Sequence, residues 1–138
     1  MILITDALAY ASPQITSYYG EIALLHGVPS VQRTGTLAGS ALQMNTAISN
    51  LVTHCGVGLA EALYAATEAP ARLMNVFESR GSIEVGKRAD LVLMDLSDFA
   101  VLMTFVGGVQ SFTATAEAAA KVSLAAAPAV GGGAADFV

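Results

Sequence analysis

A single cysteine, Cys55, has no partner for an internal disulfide, which excludes a disulfide-stapled scaffold and suits a reducing compartment. Only six of the 138 residues are lysine or arginine, and they are scattered. No basic stripe can follow a phosphate backbone, so nucleic acid is not an expected partner. No apolar run approaches the roughly 18 uninterrupted residues that a spanning helix needs. The apolar start, Met1-Ile2-Leu3-Ile4, has no basic segment before it and does not read as a secretory signal. No membrane partner is expected, and the chain reads as soluble and cytoplasmic.

What is present is oily. Hydrophobic residues make up 54% of the chain, charged residues 12%, and the net charge is −5. That is too apolar for intrinsic disorder. Either the chain buries itself around a parallel sheet covered on both faces, or it carries surface that was once the interior of something larger. The motifs favour the second. The length allows one domain of ordinary size.

Met1-Ile2-Leu3-Ile4 is short and unalternating, the pattern of a strand buried on both faces. It ends in Thr5-Asp6. A carboxylate just past the C-terminal end of such a strand stands where parallel-sheet folds place their chemistry. Pro13, Gly20, Gly27 and Pro29 punctuate the next stretch, in which Tyr18-Tyr19 and Ile22 to Leu25 read as short antiparallel strands. The loop Gly35-Thr36-Leu37-Ala38-Gly39 leads to Ser40.

Leu42, Met44, Ile48, Leu51 and Val52 then recur at helical spacing, with Ser40 or Asn45 as candidate cap and Gly56 and Gly58 as terminators. A second helix is expected from Leu59 to Glu68. A third, with Pro70 in its first turn, runs to Met74. Gly81 to Lys87 is turn-flanked, with Ile83 and Val85 on one side. Leu91-Val92-Leu93-Met94 reads as a second buried strand, and Val101 to Val106 as a third that turns at Gly107-Gly108. From Gln110 onward alanine and glycine dominate, and no packed element is expected there.

Few residues invite chemistry. Asp6 either ends a strand or acts as an acid and base. Glycine in the 35–40 loop admits close approach of a ligand, or simply makes a turn before a helix. His26 and His54 lack a second ligand three or four residues away, so metal binding by either is not expected. His54 suits a helix end, and Cys55, without a base beside it, suits a small core position. Arg72 reads as a structural ion-pair or carbonyl partner rather than a phosphate clamp, and Lys87-Arg88 as a solvated turn.

Three segments, taken in order, resemble one family. They are Ile4-Thr5-Asp6-Ala7; then Gly35-Thr36-Leu37-Ala38-Gly39-Ser40-Ala41-Leu42-Gln43-Met44 with Asn50-Leu51-Val52 and His54-Cys55-Gly56-Val57; then Pro70-Ala71-Arg72, Gly81-Ser82-Ile83, Gly86-Lys87 and Ala89-Asp90-Leu91-Val92. This arrangement is similar to the C-terminal part of the N-acetylglucosamine-6-phosphate deacetylases, amidohydrolases that release acetate and glucosamine 6-phosphate. The Gly81 to Asp95 pattern is common to many amidohydrolases; the 35–44 loop, following Thr5-Asp6-Ala7, is what narrows the resemblance.

The resemblance implies an α/β fold, the C-terminal piece of a (β/α)8 TIM barrel with part of a small β-sandwich. Residues 1–10 would hold the last barrel strand and 11–34 a β-insertion. Residues 35–78 would form the substrate loop and closing helices, 79–109 sandwich strands, and 110–138 a poorly ordered tail. Asp6 would be the catalytic acid and base, and Leu37, Ala38, Gly39 and Ser40 would contact the amino-sugar phosphate. The family uses a divalent metal such as zinc, whose ligands lie on earlier strands. No metal ligand is therefore expected in this chain, and the chain alone is expected to be inactive and to aggregate, form homo-oligomers or need a missing N-terminal part. The rivals are another amidohydrolase, a deaminase or cyclic amidase, and a non-catalytic remnant or interaction module.

Overall fold

A computed structural model describes residues 1–8, 22–25 and 28–114, in which three helices and five strands are arranged as mixed α and β. The strands β1 (Ile22–Leu25) and β2 (Val28–Val31) pair antiparallel, Ile22 opposite Val31 and Leu25 opposite Val28. Pro29 and Ser30 of β2 are buried. Proline suits this strand because the neighbouring segment needs only its carbonyl, which accepts the Ala38 N–H at 2.8 Å.

Helix α1 (Met44–Thr53) turns Ala47 and Ile48 inward. Helix α2 (Leu59–Ala66) does the same with Ala62, fully buried, and Ala65. Alanine at these positions lets helix backbones approach closely without loss of helix propensity. Ile48, Ala62 and Phe99 form the centre of the core, with Leu51, Val52, Val57, Leu63 and Met94 packed on it. Leu3 joins them, and its N–H donates to the Ala65 carbonyl at 2.8 Å. Helix α3 (Glu68–Leu73) follows at once and buries Ala71.

Strands β3 (Leu91–Met94), β4 (Val101–Val106) and β5 (Val109–Thr113) form an antiparallel sheet in that order. Gly107 and Gly108, at φ 59° and 81°, make the two-residue turn between β4 and β5, where both central positions must be left-handed. Between α3 and β3 a polar clasp closes the connection. The Phe77 ring carries the Arg72 guanidinium at 3.7 Å and the Lys87 ammonium at 3.4 Å from its centroid. Arg72 also pairs with Glu68 at 2.7 Å, and Lys87 with Glu84 at 3.2 Å. The Ser82 hydroxyl and Lys87 hold the Glu84 carboxyl below its ordinary pKa. No described helix is long and apolar enough to cross a membrane.

The structure corrects several expectations. Residues 1–4 form no strand, and Ile4 is 69% exposed, since no described strand lies beside them to pair with. Ser40 and Asn45 do not cap α1: the cap position is Gln43, without a side-chain bond. The second helix stops at Ala66 rather than near Glu68, whereas the third, from Glu68, holds Pro70 in its first turn as expected. Proline is tolerated there because the first N–H groups of a helix have no partner within it. Ile83 and Val85 both lie exposed, Val85 in a turn. Strand β3 forms as expected but is not buried, with Val92 63% exposed. Residues 110–113, read as tail, complete β5. Cys55 is exposed on the turn after α1 and not in the core. The Lys87 side chain is nearly covered, its ammonium over the Phe77 ring, instead of standing in a solvated turn. His26, Tyr18, Tyr19 and the tail from 115 lie outside the described residues.

Candidate functional site

Asp6 is exposed and adopts φ 49°, a left-handed conformation that aspartate tolerates better than most side chains. The Thr5 hydroxyl oxygen accepts the Ala7 N–H across it at 3.3 Å. Immediately beyond, Ala7 forms a parallel bridge with Ser40, and the Leu8 N–H donates to the Ser40 carbonyl at 2.9 Å. The Asp6 segment is thereby bonded alongside the glycine-bearing loop, although some thirty residues separate them in sequence.

The loop is held on its other side by β2. Leu37 bridges Ser30, the Ala38 N–H reaches Pro29, and the Val31 N–H donates to the Thr36 carbonyl at 2.8 Å. Residues 36–40 thus bond β2 through Thr36 to Ala38 and the Asp6 segment through Ser40. Gly39 is the tight point. At φ 149° a Cβ would stand 2.1 Å from Leu8 Cδ1, so glycine is what lets the loop and Leu8 lie this close. Close packing of protein on protein accounts for this glycine without any ligand.

After Gly39 the chain rises into α1, and the Ser40 hydroxyl oxygen accepts the Leu42 N–H at 3.0 Å. Val28, Pro29, Gly39, Ser40, Ala41, Leu42, Gln43 and Thr46 line an open depression at this corner. Three of the four loop residues picked out from sequence, Ala38, Gly39 and Ser40, adjoin or line it, and Leu37 is 69% exposed. Gln43 and Thr46, which sequence reasoning did not pick out, line the same depression. Their signal was position alone, at the start of the helix that the loop feeds. The depression offers backbone and neutral polar groups of the kind that bind sugar hydroxyls, and Asp6 offers a carboxylate that can take up and release a proton.

Among the described residues no three histidine, cysteine, aspartate or glutamate side chains are grouped so as to hold a metal ion. His54 caps the end of α1 through its backbone N–H, which donates to the Asn50 carbonyl. These residues do not by themselves fit a metal centre, and the acid–base chemistry open to them is that of Asp6. Arg72 serves the clasp on α3, as an ion-pair partner, and is not in the depression.

The amidohydrolase family model matches residues 2–111. An N-acetylgalactosamine-6-phosphate deacetylase from Escherichia coli O157:H7 is 39% identical over 97 residues, which cover 69% of this chain and 26% of that protein. The crystal structure of an N-acetylglucosamine-6-phosphate deacetylase from Pasteurella multocida superposes with a TM-score of 0.69 at 35% identity, covering 80% of this chain and 29% of the other. An aspartate-to-alanine variant of the enzyme from Mycobacterium smegmatis, crystallised with N-acetyl-D-glucosamine-6-phosphate, superposes with a TM-score of 0.63 at 32% identity, covering 79% and 30%. The chain therefore spans between a quarter and a third of the length of each of these three relatives.

Proposed function

Because the chain belongs to the amidohydrolase family, we propose that it supplies the acid–base carboxylate and the sugar-contacting loop of a deacetylase acting on an N-acetylated hexosamine 6-phosphate. N-acetylglucosamine 6-phosphate is the first candidate, and its galactosamine epimer the second, since relatives named for both match. The observation that carries the proposal is the Ala7–Ser40 bridge, which joins the Asp6 segment to the loop.

In this reading Asp6 takes the proton from the water that attacks the acetamide carbonyl. It then delivers that proton to the nitrogen as the C–N bond breaks, leaving acetate and the free amino sugar. Leu37, Ala38, Gly39 and Ser40, with Gln43 and Thr46, hold the sugar beside it. In the completed enzyme, residues 1–10 would add as the last barrel strand, 35–78 would supply the substrate loop and closing helices, and 79–109 would contribute sandwich strands. Residues 11–34 correspond to an insertion. The family is generally metal-dependent, and the donors for such a cation would come from outside the described residues. The site would be completed by a further portion of protein, and the substrate class suits a cytoplasmic enzyme.

The test is a transplant. Residues 1–111 replace the matching part of the Pasteurella multocida deacetylase, and acetate release is measured with both sugar phosphates. Turnover of at least one is expected. A folded transplant that hydrolyses neither, while the parent enzyme hydrolyses its own substrate, would sink the proposal.

A further inference from the structure

The start of α1 has no side-chain cap, yet it forms the wall of the depression that the loop leads into. What holds it lies 54 residues away in sequence: Asn45 Nδ2 donates to the Phe99 carbonyl at 3.0 Å in a partly buried setting. Phe99 is itself unusual. Phe99 is buried in the core, and its backbone sits at φ 59°, a conformation that a bulky side chain rarely adopts and that persists only where its surroundings enforce it. That twist presents the carbonyl that Asn45 reaches. Only the amide nitrogen of Asn45 can donate, so the chemistry fixes the orientation of its carboxamide. The next residue, Thr46, lines the depression, and Ala47 and Ile48 are buried.

We infer that Asn45 is a positioning residue: bonded to the strained Phe99 corner, it fixes the first turn of α1 and so sets where Gln43 and Thr46 stand in the depression beside the Asp6 segment. The inference rests on the proposal that this depression takes the sugar phosphate. It adds a determinant that touches no ligand and lies outside the loop.

Asn45→Asp in the 138-residue chain is the test, since aspartate matches the shape but presents a carboxylate to the carbonyl and cannot donate. Amide hydrogen exchange and titration with N-acetylglucosamine 6-phosphate, followed by NMR, are read together. Loss of one net hydrogen bond should speed exchange at Leu42 and Ala47 by roughly 5- to 10-fold. Arg88 and Gly108 should keep their rates, and sugar-phosphate affinity should weaken by a similar factor. Unchanged exchange at Leu42 and Ala47, acceleration spread equally over Arg88 and Gly108, or local acceleration with undiminished affinity would each overturn the inference. If the unsubstituted chain takes no sugar phosphate at about 20 mM, beyond the millimolar range of weak specific binding, the reading of the depression fails. The exchange pattern then still reports the tether separately.

Discussion

The helical side and the sheet side of this molecule are built on opposite terms. Around Ile48, Ala62 and Phe99 the helices bury small residues against one another, and Leu3 is drawn in as well. In the β3–β5 sheet the central strand β4 is bonded on both sides, yet Val92, Val106, Val109 and Phe112 remain exposed. Hydrogen bonding along a ladder fixes the shape of a sheet, but it does not bury the side chains. The helices have found their packing partners within the chain, whereas these sheet residues have not. The depression adjoins the start of α1, the helix that buries Ile48, and Asp6 itself is exposed.

This contrast can be tested by substitution. Ile48→Ala should be the most damaging change, costing about 2–5 kcal/mol because the core around it can collapse only in part; urea unfolding followed by circular dichroism measures it. A loss under about 1 kcal/mol would mean that the helical core is looser than its geometry shows. Phe77→Ala should cost about 1–2 kcal/mol, since it removes the ring shared by two cations. The Asn45→Asp effect on local exchange follows. Val92→Thr, on the open sheet, should fall within about 0.5 kcal/mol by the same unfolding assay. A large loss there would show that the exposed residues are covered in solution.

The smallest expected effect concerns pH. The folded-state pKa of Glu84 is depressed by Ser82 and Lys87. Its contribution is therefore present above the ordinary carboxylate pKa of about 4.3–4.5 and is lost as pH falls through the lower folded value. Glu84→Gln should narrow the stability difference between about pH 7 and pH 3 slightly, with little effect between about pH 6 and pH 8. An effect confined to neutral pH would contradict this assignment.

The helices were legible because their apolar residues keep a helical period: Ile48, Leu51 and Val52 point one way in sequence and in space. The loop from Gly35 was legible as glycine punctuation, and Arg72 as an ion-pair partner. Burial was not legible. Leu91-Val92-Leu93-Met94 has the composition of a covered strand, but covering depends on what lies opposite, and a local pattern does not contain that. β5 was hidden for a related reason: Gln110, Ser111 and Thr113 dilute its apolar content, and only the Gly107-Gly108 turn announced a returning strand. Asp6 and the loop could each be picked out, but their pairing through Ala7 and Ser40, like the Asn45–Phe99 bond, joins distant stretches and becomes visible only in three dimensions.

The most direct test returns to Asp6 in the transplanted enzyme. The Asp6→Asn substitution keeps the shape and removes the proton acceptor, so kcat should fall by about 10²- to 10⁴-fold with little change in KM. A substituted transplant that turns over as fast as the one retaining Asp6 would show that this carboxylate takes no part in the chemistry.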